Sequence, residues 1–151
     1  MAKKALIVDD DPRVMKIIEE TLQGLNHEHV WVTNQHDARR ALDIEQFDYV
    51  LLELRIPAKP RRGGASSTYG LELLREIISD PHCRGLPVIM TTTGAADSSE
   101  MSIRLRSYGA ADFMAKPFWT SGRSLAHVIQ ATLGFRSTGP ADPRASLSHA
   151  T

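Results

Sequence analysis

The sequence predicts an α/β fold built on a parallel sheet, and two observations predict it. Short apolar runs alternate with amphipathic stretches from end to end, as strands joined by crossover helices do. Four of those runs also end in acids, hydroxyls or a lysine. Ala5-Leu6-Ile7-Val8 ends in Asp9-Asp10-Asp11, and Tyr49-Val50-Leu51-Leu52 in Glu53. Pro87-Val88-Ile89-Met90 ends in Thr91-Thr92-Thr93, and Asp112-Phe113-Met114-Ala115 in Lys116-Pro117. In an open parallel sheet such strand ends face one crevice.

Each element follows in order. Ala5 to Val8 is the first strand. Asp11 caps a helix with Pro12 at its first position, and Val14, Ile17, Ile18, Leu22 and Leu25 recur on one face at helical spacing. His29 to Thr33 reads as a second strand. Asp37 to Glu45 reads as a weaker helix with Ala38, Ala41 and Leu42 inward. Tyr49 to Leu54 is nearly all apolar, as a central strand covered on both faces should be. Leu71, Leu74, Ile77 and Ile78 mark a third helix, stopped by Asp80-Pro81. Val88 to Thr92 is the fourth strand. Asp97-Ser98-Ser99-Glu100 resembles a capping box and opens a helix carrying Met101, Ile103 and Leu105. Asp112 to Ala115 is the last strand, and Leu125, Val128, Ile129 and Leu133 place a fifth helix. From Phe135 the chain turns to Ser, Gly, Pro and Ala, which cannot bury enough to order themselves.

The bulk numbers exclude several function classes. A chain of 151 residues has room for one domain and a real core. Its 18 basic and 18 acidic residues balance, so nothing global attracts nucleic acid or an anionic membrane. The single Cys83 excludes an intramolecular disulfide and fits a reducing compartment. No apolar run is long enough for a membrane span, and the histidines show no zinc spacing. The expectation is a cytoplasmic protein with no nucleic acid or membrane partner.

The segments Val8–Pro12, Leu51–Pro57, Pro87–Thr92 and Gly109–Phe118 together resemble the receiver domain of two-component response regulators, over about Lys3 to Leu133. The resemblance implies a flavodoxin-like five-stranded sheet of order 2-1-3-4-5 with helices on both faces. It divides the chain into a receiver at 1–134, with a loop insertion at 58–69, and a flexible tail at 135–151. It also implies that Asp9 and Asp10 hold Mg²⁺ and that Thr92 and Lys116 hold phosphoryl oxygens. Phe113 would be the aromatic whose packing changes with activation, and Lys116-Pro117 a cis step. These residue types suit the chemistry, because phosphoryl transfer is mostly positioning and charge neutralisation, and Mg²⁺ favours carboxylate oxygens.

The chain departs from that pattern at three places. Glu53 stands where the family has its acceptor aspartate. Its extra methylene moves the oxygen by about 1 Å or more, the scale at which positioned chemistry loses ~100-fold. The longer carboxylate reaches toward Lys116 and Thr92. Arg55 is the second departure: its carbonyl can still face Mg²⁺, or its guanidinium can pair with the acids. The third is the polar, Gly-rich Ala58–Tyr69 insertion, whose Lys59, Arg61 and Arg62 are either a solvated loop or a docking element. Phe113 and Trp119 read equally as core residues and as contact anchors.

These features predict a stand-alone signalling module that is not an enzyme, with Glu53 as a built-in activating acid and no required cofactor. Its partner would be a protein docking on the fourth helix, fifth strand and fifth helix, or a second copy of the chain. The alternative is a conventional receiver phosphorylated by a histidine kinase with Mg²⁺. A nucleotide or flavin binder is disfavoured, because Asp9-Asp10-Asp11 stands where a Gly-rich phosphate loop would be needed.

Overall fold

The computed structural model describes residues 2–60, 64–93, 98–118 and 122–137. Arg61, Arg62, Asp97, Trp119 and most of the proposed tail lie outside the described residues. Five parallel strands, β1 (Lys4–Val8), β2 (Glu28–Val32), β3 (Tyr49–Glu53), β4 (Val88–Thr93) and β5 (Asp112–Lys116), form one sheet of order β2-β1-β3-β4-β5. The helices are α1 (Pro12–Leu25), α2 (Gln35–Ile44), α3 (Ser67–Ser79), α4 (Ser98–Ser107) and α5 (Leu125–Ser137), with a short 3-10 turn at Pro81–Cys83. This is the doubly wound arrangement, with β1 and β3 at its centre. Among the described residues, no helix is long and apolar enough to cross a membrane.

Strand alternation divides the core. Leu6, Val8, Val50, Leu52, Val88, Met90 and Phe113 point to the side covered by α2, α3 and α4. Ala5, Ile7, Tyr49, Leu51, Ile89 and Met114 point to the side covered by α1 and α5. Every residue of β3 is buried, which explains its unbroken apolar run.

Local chemistry sets the helix ends. Asp11 accepts from the Arg13 N–H at 2.9 Å with Pro12 at the first position, where an N–H would lack a partner anyway. Asn26 closes α1 in the left-handed region, at a φ of 60°. Asn34 caps α2 by accepting from Asp37 N–H at 2.8 Å. Ser66 caps α3, so Ser67–Tyr69 form its first turn instead of belonging to the insertion. The bend that leaves the sheet is pinned three ways. Ile56 pairs with Ser66 in an isolated antiparallel bridge, and the carbonyls of Pro57 and Ala58 accept from the N–H groups of Gln35 and His36. Gly70 then lies so close to β3's end that an added Cβ would sit 2.1 Å from the Leu54 carbonyl oxygen.

Several faces differ from the periodicity reading. In α1 the buried residues are Met15, Ile18 and Leu22, while Ile17 is 40% exposed. In α3 the inward set is Gly70, Leu73, Leu74 and Ile77, with Ile78 outward, and in α4 Leu105 is buried while Ile103 is 69% exposed. Ile17 and Ile18, like Ile77 and Ile78, are one helical step of about 100° apart, too little for apolar spacing to resolve, while Ile103 and Leu105 are two steps apart and cannot share a face. α5 continues to Ser137, past the boundary expected at 134.

Candidate functional site

Alternation along β1, β3, β4 and β5 carries Asp9, Glu53, Thr91 and Lys116 to the α1/α5 side at the strand C-termini. All four are buried, at 2%, 3%, 2% and 8% exposure. Lys116 Nζ lies 2.5 Å from Asp9 Oδ2 and 2.5 Å from Glu53 Oε2, so one ammonium is shared by two carboxylates. Thr91 Oγ1 donates to Glu53 Oε2 at 3.1 Å, and the Arg55 N–H donates to Glu53 Oε1 at 3.3 Å. Asp9 Oδ1 accepts from the Asp11 N–H at 2.9 Å. Lys116-Pro117 is cis.

The charges do not cancel: two carboxylates face one ammonium. Burial would lower the Lys116 pKa, but the charges of Glu53 and Asp9 outweigh it and hold the amine above its ordinary value. Burial lifts the Glu53 carboxyl and Asp9 adds repulsion, which Lys116 only partly offsets, so Glu53 sits above the usual range. Glu53 therefore takes up a proton more readily than a solvated glutamate does.

The structure brings together Asp9, Glu53 and Lys116 as the sequence predicts, and corrects one contact. The hydroxyl at Glu53 belongs to Thr91, not Thr92. Thr92 is buried but follows Met90 in the pleat, toward the opposite side of the sheet. Arg55 is exposed, and its guanidinium pairs with neither Asp9 nor Asp10; only its N–H reaches the pocket. Asp10 is exposed and stands apart from Glu53's partners. Phe113 is core, at 5% exposure.

Sequence reasoning missed Thr91 and Trp31. Thr91 was legible in the pleat, since it shares parity with Ile89 and lies opposite Glu53 in the β3–β4 register. Trp31 donates from Nε1 to the Asp9 carbonyl at 2.7 Å and so helps fix the acidic turn. Nothing in the local pattern of β2 signals that contact.

The acids do not form a cation cage. Asp9 is engaged on both oxygens, by Lys116 and Asp11 N–H, and Glu53 on both, by Lys116, Thr91 and Arg55 N–H. Among the described residues, no group of three or more His, Cys, Asp or Glu side chains is arranged to hold a metal ion. As arranged, these residues do not fit Mg²⁺.

Residues 5–129 match the family described as the response regulator receiver domain. The chain is 30% identical over 147 residues to the phosphate regulon transcriptional regulatory protein PhoB of Pseudomonas aeruginosa, covering 97% of this chain and 58% of that protein. It therefore spans less than two thirds of the regulator's length. A solved putative response regulator from Chloroflexus aurantiacus superposes with a TM-score of 0.73 at 24% identity, covering 89% of this chain and 99% of that one. The receiver domain of a sensor histidine kinase from Pseudomonas aeruginosa, solved with magnesium in its active-site cleft, gives a TM-score of 0.66 at 24% identity, with 89% and 99% coverage.

Proposed function

The chain belongs to the response regulator receiver domain family of two-component signalling, and from that premise we propose that it acts as a phosphorylation-independent protein-interaction module. The observation that carries the reading is the Glu53–Lys116 contact at 2.5 Å. Glu53 supplies an anion at the place a phosphoryl group would supply one, and Lys116 and Thr91 already answer it. Both Glu53 oxygens are engaged, so neither is free to attack a phosphodonor without first breaking a buried contact. Output passes through the face of α4, β5 and α5 to a protein partner. The acid biases the domain by its differential contacts in the two states, and ~1.4 kcal/mol of bias shifts their ratio tenfold.

A second reading draws on the magnesium in the cleft of the kinase receiver domain. On that reading Asp9 and Asp10 hold Mg²⁺ once Lys116 turns away, and Glu53 accepts phosphate from a histidine kinase. One experiment separates the two. The protein is incubated with acetyl phosphate and Mg²⁺, and its intact mass is measured for wild type and Glu53→Asp. The first reading expects no phosphoryl adduct on wild type, and a hydroxylamine-labile phosphoryl adduct on wild-type Glu53 would defeat it.

A further inference from the structure

Asp112 begins β5, one of the two edge strands of the sheet, and is 9% exposed. Its carboxylate gathers donors from three places. Arg106 Nη2 reaches it from α4 at 2.6 Å. Arg123, just before α5, donates from Nη1 to Oδ2 at 3.0 Å and from Nη2 to Oδ1 at 3.3 Å. The Phe113 N–H donates to Oδ1 at 2.7 Å.

The two arginines also hold the main chain. Arg123 Nη2 donates to the Phe113 carbonyl at 3.2 Å, and Arg106 Nη1 to the Ala111 carbonyl at 3.4 Å. Both backbone polar groups of Phe113 are thus taken up by side chains, at an edge that would otherwise offer them to another strand. Burial alone would lift the Asp112 carboxyl, but Arg123, the Phe113 N–H and Arg106 outweigh it and hold it below the ordinary range. A planar guanidinium can fork between a carboxylate and a carbonyl in this way, whereas a lysine is a point charge on a flexible stem.

We propose that Asp112 is a positioning residue: through Arg106 and Arg123 it ties α4 and the lead-in to α5 to the main chain of Phe113, so that these elements respond to the pocket as one unit. Lys116 lies on the same strand as Phe113, so a change at the Glu53–Lys116 contact enters β5 directly. The proposal rests on the functional reading above for the origin of the signal. The clamp itself does not depend on that reading.

The test uses backbone amide resonances of the full chain. Glu53→Gln is introduced into wild type, Arg123→Gln and Arg123→Lys backgrounds. In wild type the perturbation reaches Thr91, Lys116, Phe113 and residues of α4. In Arg123→Gln the pocket still responds while the α4 shifts fall at least about threefold, and Arg123→Lys fails to restore them because it lacks the fork. An α4 response of equal size in all three backgrounds overturns the proposal, since a merely structural role would leave the transmission intact.

Hydrogen exchange at the Phe113 amide in Arg106→Gln/Arg123→Gln separates the two failures. The unanchored carboxylate should let that amide exchange about tenfold faster. A wild-type α4 silent to Glu53→Gln, with faster Phe113 exchange in the double variant, defeats the functional reading and supports the clamp. A silent α4 with unchanged exchange defeats both.

Discussion

Thr91 donates its hydroxyl to Glu53 across the β3–β4 ladder, while Thr92, the next residue, belongs to the other side of the sheet. The two threonines should therefore respond differently to the same substitution. Thr91→Val removes a hydrogen bond to a buried carboxylate and should cost about 1.5–3 kcal/mol. Thr92→Val should cost less than about half of that. Urea unfolding of both variants checks the ordering, and equal losses would place the Glu53 hydroxyl partner elsewhere.

Lys116 and Glu53 should be unequal in their stability effects although they share one contact. Lys116→Met leaves two carboxylates buried without their cation, which should destabilise by about 3–5 kcal/mol. Glu53→Gln removes the surplus charge and keeps an oxygen for Thr91 and Lys116, so its loss should be smaller and its sign can reverse. Adding Glu53→Gln to Lys116→Met should recover part of the lysine variant's loss. Chemical denaturation of the four proteins in the cycle measures that coupling.

Magnesium should bind wild type no more tightly than millimolar, because Asp9 and Glu53 are engaged on both oxygens. Arg55→Ala should leave that affinity unchanged, since the exposed guanidinium does not compete for the acids. Lys116 is the internal cation, so Lys116→Met should tighten Mg²⁺ binding at Asp9. Isothermal titration on the three proteins gives the answer, with tightening in Arg55→Ala as the contrary result.

His27 should make stability depend on pH on the acid side of neutrality. Its Nδ1 lies 2.8 Å from the hydroxyl of Tyr49, and burial, chiefly, holds its pKa below the ordinary value, with Lys3 adding and Asp48 opposing. A histidine depressed in the folded state contributes stability that is full above its unfolded pKa. That stability is lost as pH falls through the folded pKa. The window lies below about pH 6.5. Comparing urea midpoints near pH 7 and pH 5 should show a smaller drop for His27→Gln, which keeps an acceptor for Tyr49 and cannot titrate.

The insertion should tolerate shortening only between its anchors. Replacing the segment between Ala58 and Ser66 by a short Gly-containing turn should change the melting temperature little, because loop-closure entropy varies slowly with length. Extending the deletion through Pro57 and Ala58 removes the carbonyls that accept from Gln35 and His36 N–H, and should cost several degrees. Thermal melts of both deletions separate a tethered loop from a packed lid.

The strands and the pocket acids were legible because they depend on local chemistry. A wholly apolar run marks β3, and an acid or lysine at a strand end has one crevice to face. The contacts that were misread depend on rotation. Ile17 and Met15 differ by two helical steps, and Thr91 and Thr92 by one pleat, and motif spacing fixes neither. The Arg106–Asp112–Arg123 clamp was invisible for a different reason: its members sit on α4, on β5 and in the lead-in to α5, whose approach only the packed chain defines.

The close seat of Gly70 on Leu54 has a consequence for how this chain can vary over time. α3 is located by that contact and by the Ile56–Ser66 bridge, both of which lie outside the excursion between them. The helix therefore keeps its place whatever length of chain is spooled out before it. Sequence change can accumulate in that excursion without reaching Glu53, so related chains should differ there in length and charge while Gly70 admits no side chain at all.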